Sequence, residues 1–227
     1  MNDLLKKIID KKLTTLSGGI AFFIVINGGS ILYLIMLIIT NLTSINYPEF
    51  LSHLTFSKSY FIFYILSSIY SASSLFVHII NAKELIMEVK EKKYRFNRLI
   101  SLILVIVFLG FVLVSGFIIV IIEEVKNTIL LLFLKKILYL IIPYGLIVFI
   151  NKFVSPQKNS FKKILIPSLI SYIGMYLSTI GFRIYLYYFQ NFKQAYGTLS
   201  FLIIFMFWIY LISISLVLGF FLIKSTN

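Results

Sequence analysis

The sequence predicts an all-α polytopic membrane protein, a compact bundle of six transmembrane helices. Hydrophobic residues make up 60% of its 227 residues and charged residues only 13%, whereas soluble domains carry about 25% charged residues. The last apolar segment, Thr198 to Ile223, contains no Asp, Glu, Lys, Arg or His. As a helix it would be roughly 39 Å long at 1.5 Å per residue, more than the roughly 30 Å of bilayer hydrocarbon. Lysines and arginines collect between apolar blocks rather than along one polar face. The net charge of +13 therefore points to a membrane surface and not to nucleic acid.

The amino end, residues 1–18, reads as a short amphipathic cytoplasmic segment. Its lysines extend to Lys12 and are interrupted by Asp3 and Asp10, unlike the n-region of a signal peptide. Span 1 covers Gly19 to Thr40. Its centre holds Asn27, Gly28, Gly29 and Ser30, and adjacent glycines predict a kink, a break or a tight helix contact. A locally broken helix here would resemble the midplane sites of secondary transporters. In the loop from Asn41 to Lys58, Phe50, Leu51, Leu54 and Phe56 predict an interfacial stretch.

Span 2 covers Ser59 to Ile80. Ser67, Ser71, Ser74 and His78 recur at steps of four, three and four, which places them on one helical face turned toward other helices. His78 near the membrane boundary suits either a hydrogen bond between helices or proton and phosphate chemistry. The connection Asn81 to Arg98 lacks Pro and Gly and carries Glu to Lys or Arg pairs, Glu88 with Lys92 and Glu91 with Arg95. These predict a solvated helical extension of span 2.

Span 3 covers Leu99 to Ile122. Residues 123–136 are assigned to the outer interface, because a span that included them would put Lys135 and Lys136 in hydrocarbon. Span 4 then covers Ile137 to Val154, and Pro156, Lys158, Lys162 and Lys163 mark a basic turn. Span 5 covers Ile164 to Phe189, with Pro167 near its start, where a missing N–H is tolerated. Ser168, Ser171, Gly174, Ser178 and Gly181 form a small-residue stripe suited to helix packing. Two readings of Arg183 stand: it snorkels outward beside Tyr185, Tyr187 and Tyr188, or it lines a polar cavity and meets an anionic ligand. Span 6 covers Thr198 to Ile223, and residues 224–227 form a tail.

With six spans, Lys58, Lys126, Lys135, Lys136, Arg183 and Lys193 fall on one side, and the remainder of the 21 Lys and Arg fall on the other. The positive-inside rule puts both termini in the cytoplasm.

Ala195, Tyr196, Gly197, Thr198, Leu199 and Ser200, then Phe207, Trp208, Ile209, Tyr210 and Leu211, then Leu218 and Gly219, resemble the carboxyl-terminal pattern of the YihY/BrkB group of bacterial inner-membrane proteins. Some of these carry an older ribonuclease BN label. Gly19 to Phe23, and Ser71, Ala72 and Ser73 ahead of Asn81, are similar to the family's earlier motifs. The resemblance covers nearly the whole chain and implies six helices in a bacterial cell membrane with cytoplasmic termini. There are departures. Gly28 or Gly29 stands where the family usually has a proline, Ser168 where it has glycine, and Phe220 and Phe221 where it has Ala and Glu.

No cysteine is present, and the carboxylates and histidines form no metal-binding or acid and base pattern. The expectation is a protein that is not an enzyme and that needs no cofactor or metal. Basic loops and polar helix faces, together with what the resemblance implies, point to transport or export of an anionic lipid or other amphiphile. The alternative is a noncatalytic envelope-organising scaffold. Candidate lipid or substrate contacts are Asn27, Gly28, Gly29, Ser67, Ser71, Ser74, His78, Asn81, Arg183, Tyr196 and Gly197. Expected partners are membrane lipids, chiefly anionic head groups at the cytoplasmic face, with a second copy of the chain or another membrane protein as further candidates.

Overall fold

The computed structural model describes residues 11–43, 58–88, 94–124, 129–153, 161–189 and 193–225, with some side chains within these segments outside that description. These residues form six helices: α1 (Lys11–Thr43), α2 (Lys58–Met87), α3 (Tyr94–Glu124), α4 (Ile129–Phe153), α5 (Phe161–Phe189) and α6 (Lys193–Ser225). The all-α class is as expected, and each anticipated span overlaps one helix. Four windows are long and apolar enough to cross a membrane: Ile65–Met87, Tyr94–Gly116, Phe161–Tyr188 and Phe201–Lys224. Among the described residues, α1 and α4 contribute shorter apolar stretches, Leu13–Gly29 and Leu140–Lys152.

Several boundaries differ from those the sequence suggested. Helix α1 starts at Lys11, so Leu13 and Ser17 are buried helix residues rather than part of a separate leading segment. It also runs unbroken through Asn27 to Ser30, and a Cβ at Gly28 or Gly29 would meet nothing within 4 Å among the described residues. The adjacent glycines therefore mark no break in the helix and, among the described residues, no close helix contact. Helix α4 starts at Ile129, not Ile137, so Lys135 and Lys136 fall inside it. The apolar run ahead of those lysines propagates the helix at little cost, whatever the lysines do. The expected interfacial loop and His53 lie outside the described residues.

The chain forms two compact units. Unit 1 comprises residues 1–25, 78–91 and 140–227, and unit 2 comprises residues 26–77 and 92–139. In unit 2, Phe76 and Phe108 meet edge to face with ring centroids 5.8 Å apart. Arg98 lies against the Tyr70 ring at 3.9 Å and donates hydrogen bonds to the Tyr70 carbonyl and to Ser74 Oγ. In unit 1, α5 and α6 pack along each other. A Cβ at Gly219 would lie 2.0 Å from Ser171 Oγ and 3.4 Å from the Pro167 carbonyl, and one at Gly174 would lie 2.7 Å from Ser215 Oγ. The first half of the α5 stripe thus makes the contact, whereas Gly181 is exposed. Met87, Ile164 and Ile223 close the apolar core at the ends of α2, α5 and α6. Outward faces remain apolar, with Ile166, Leu177, Tyr187 and Phe207 exposed, as expected for helices solvated by lipid.

Gly219→Ala should lower stability by about 1–3 kcal/mol through overpacking, read as an earlier thermal unfolding transition of the detergent-solubilised chain. Gly28→Ala should leave that transition unchanged or raise it, since Ala is the better helix former by about 1 kcal/mol.

Candidate functional site

The polar side chains of unit 1 converge on the last turn of α2. The sequence suggested a solvated extension there, but Ala82, Lys83, Glu84, Ile86 and Met87 are all buried. The helix stops at Glu88, whose φ of 53° is left-handed, and Lys92, Glu91 and with them the expected pairs lie outside the described residues. Glu88 pairs with Lys224 at the end of α6, 2.8 Å away. Met87, in the last turn of α2, packs with Ile164 of α5 and Ile223 of α6.

Lys83 is 0% exposed and is the largest fully buried side chain among the described residues. Its Nζ donates to the Asn151 carbonyl of α4 at 2.6 Å and sits 5.1 Å from the centre of the Phe220 ring of α6. Asn151 continues the chain of contacts, its Nδ2 donating to Ser168 Oγ of α5 at 2.7 Å. Among the described residues no carboxylate pairs with Lys83, and its neighbour Glu84 is engaged in an interaction of its own. Burying an ammonium with one hydrogen bond and one ring face leaves much of its lost hydration unreplaced.

Among the described residues, two further polar atoms of these side chains lack partners. Asn151 Oδ1 and Ser171 Oγ are buried without a hydrogen bond. Other serines satisfy themselves along their own helices, as Ser178 does on Gly174, Ser213 on Ile209 and Ser215 on Leu211. Ser171 has no such bond, although it lies in the closest contact between α5 and α6. Pro167 sits in the second turn of α5, one turn later than expected, and supplies no N–H beside this group.

The residues singled out from sequence are dispersed. In unit 2, Ser71 Oγ donates to Oδ1 of the buried Asn27, and Ser74 accepts from Arg98. Ser67 and Asn81 are exposed, and both have interaction partners. In unit 1, His78 stacks on Phe23 with ring centroids 3.5 Å apart. Arg183 is exposed on α5 beside the exposed Ile184, Tyr187 and Tyr188. Tyr196 and Gly197 fall inside α6, which starts at Lys193 and not at Thr198, and their side chains lie outside the described residues. The serine face of α2 thus holds α1 and α3 by polar contacts within unit 2. In the sequence Lys83 lies within the connection Asn81 to Arg98, and the signal that marks it is the apolar repeat at Ile79, Ile80, Ile86 and Met87 continuing past the expected span end.

A family model described as Virulence factor BrkB matches residues 4–224. The chain belongs to this family. It is accordingly a BrkB-family membrane protein with several apolar helices. Neither a curated protein nor a solved structure gives a match. The matched region takes in Lys83, Asn151, Ser168, Ser171 and Gly219.

Asn151→Leu should destabilise the chain by about 1–3 kcal/mol by leaving buried polar partners unmatched, measured by thermal unfolding in lipid nanodiscs. Arg183→Leu, at an exposed position, should change that transition by no more than about 0.5 kcal/mol.

Proposed function

We propose that this BrkB-family protein moves an anionic lipid or other anionic amphiphile across the bacterial cell membrane, with all six helices spanning and both termini cytoplasmic. One observation carries the reading: the helices bury a lysine, an amide and serine hydroxyls together in unit 1 instead of an entirely apolar interior. Among membrane helices such groups are costly and mark routes for polar cargo. The described cations Lys152, Lys162, Lys163 and Lys224 belong to the same unit, and cationic segments at a membrane surface attract anionic head groups by about 1 kcal/mol per residue. The chain acts in this reading without enzymatic chemistry and without a cofactor, as a carrier for the amphiphile.

Arg183 then serves as an interfacial anchor, since an exposed guanidinium beside exposed tyrosines is suited to the headgroup layer. The polar contacts of Asn27, Ser71 and Ser74 keep α1, α2 and α3 in register within unit 2, and the cargo route runs through unit 1.

The test is lipid movement in vesicles of phosphatidylglycerol and phosphatidylcholine that contain the purified chain and a trace of fluorescent phosphatidylglycerol. Faster loss of inner-leaflet protection from an external quencher is expected, with a labelled phosphatidylcholine moving less. Movement no faster than in protein-free vesicles, with or without an ion gradient, would count against transport. Stable capture of another membrane protein under the same conditions would then favour the scaffold alternative.

A further inference from the structure

We propose that Lys83 is the inner contact of a binding site for a phosphate-type oxyanion, entered at the end of unit 1 where α2, α5 and α6 meet. The inference deepens the transport reading and rests on it for the nature of the cargo, but its own observations are geometric. Lys83 is fully buried, and its ammonium has three N–H groups, of which the Asn151 carbonyl takes one. The Phe220 ring offers a weak electrostatic surface at 5.1 Å. An oxyanion supplies what is missing, a negative charge with several acceptor oxygens.

The independent observation is the pair of buried atoms in the neighbouring contacts that have no hydrogen-bond partner among the described residues. Ser171 Oγ is a hydroxyl with a proton to donate and no acceptor, at the Gly219 contact next to Phe220. Asn151 Oδ1 is an acceptor with no donor, on the residue whose carbonyl holds Lys83. One cationic donor, one hydroxyl and one bare acceptor match a ligand that accepts from the first two and donates to the third. A phosphate monoanion has that pattern through its P–OH, and a phosphatidylglycerol headgroup, whose phosphodiester carries no P–OH, has it through a glycerol hydroxyl. A dianion or a sulfate lacks the proton for Asn151.

Access is provided for by the surface above it. Glu88 and Lys224 bridge the ends of α2 and α6 at 2.8 Å, and both side chains are partly open to solvent. Such a pair contributes little to stability. An incoming oxyanion attracts Lys224 away from Glu88, and Lys162 and Lys163 stand exposed on the first turn of α5 at the same end. The outer lysines gather the anion, and Lys83 receives it when the Glu88 bridge parts.

The shared chemistry has two sources, a phospholipid headgroup and free phosphate. Native mass spectrometry of the purified full chain in detergent reads both, by titrating phosphatidylglycerol, phosphatidylcholine and inorganic phosphate. Wild-type protein should retain phosphatidylglycerol or inorganic phosphate at lower concentration than phosphatidylcholine. Lys83→Met should raise the half-saturation roughly ten- to hundredfold, as expected for loss of a charged hydrogen bond. Lys162→Gln together with Lys163→Gln should raise it by only a small factor. Competition by inorganic phosphate against the lipid identifies free phosphate as the ligand, and binding of the lipid alone identifies the headgroup.

Unchanged half-saturation in Lys83→Met overturns the proposal. If that variant does not fold, Lys83→Arg keeps the charge but replaces a point donor with a planar fork, and it must shift the half-saturation severalfold; no shift overturns the proposal equally. Lysine-dependent binding without lipid movement in vesicles strikes the transport reading alone. Lipid movement that persists in a Lys83→Met chain with unaltered binding strikes this inference alone.

Discussion

The arrangement of unit 1 depends on how closely α5 and α6 approach. At Gly219 and Gly174 a single extra carbon on one helix would collide with a serine of the other. Lipid tails are as apolar as leucine, so helices in a bilayer gain little from hiding greasy surface from water. What holds them is dispersion at short range, and that requires small residues at the crossing. Helices this close leave space beside them for only slender side chains, and Ser168, Ser171, Ser213 and Ser215 are buried along this pair. The close contact thus places hydroxyls in the interior as a consequence of packing. The two that do not bond back along their own helices are the ones adjoining the amide of Asn151 and the Gly219 crossing.

Against that background the burial of Lys83 has a distinct energetic character. The chain could seal the end of α2 with another isoleucine, as it does at Ile80 and Ile86. It places there a side chain whose charged form is stabilised by one main-chain carbonyl and one aromatic face. Replacing such a group by an apolar one of similar volume is commonly neutral or favourable to stability. A cation retained where packing alone would discard it is therefore better explained by what it binds than by what it holds together.

The fold class was legible because it follows from averages. A composition with few charges, long apolar runs and cations gathered at their ends admits few structures other than helices in a membrane. The six helices and their order followed from those runs. Helix ends were less legible, because apolar content marks where lipid begins and not where hydrogen bonding stops. Residues 81–88 look like a hydrophilic connection because Lys83, Glu84 and Glu88 stand out in a linear reading, yet Ala82, Ile86 and Met87 between them are buried. Glycine permits close approach without compelling it: among the described residues nothing lies within 4 Å of a Cβ at Gly28 or Gly29, whereas Gly174 and Gly219 are faced by serines from another helix. The candidate site was the least legible part, since Lys83 and Asn151 are 68 residues apart and only the packing of α2 on α4 joins them.

The departure from the family pattern at Phe220 bears on the same cation. Where relatives that the carboxyl-terminal motif resembles carry Ala and then Glu after Leu-Gly, this chain has Phe220 and Phe221. A carboxylate on this turn of α6 would put a permanent negative charge in the helix that Lys83 faces, and a lysine neutralised from within has little remaining attraction for an external anion. Phe220 instead presents a ring quadrupole, weaker than a carboxylate and unable to accept a conventional hydrogen bond. On this turn of α6 the group that Lys83 faces is thus a ring quadrupole and not a carboxylate.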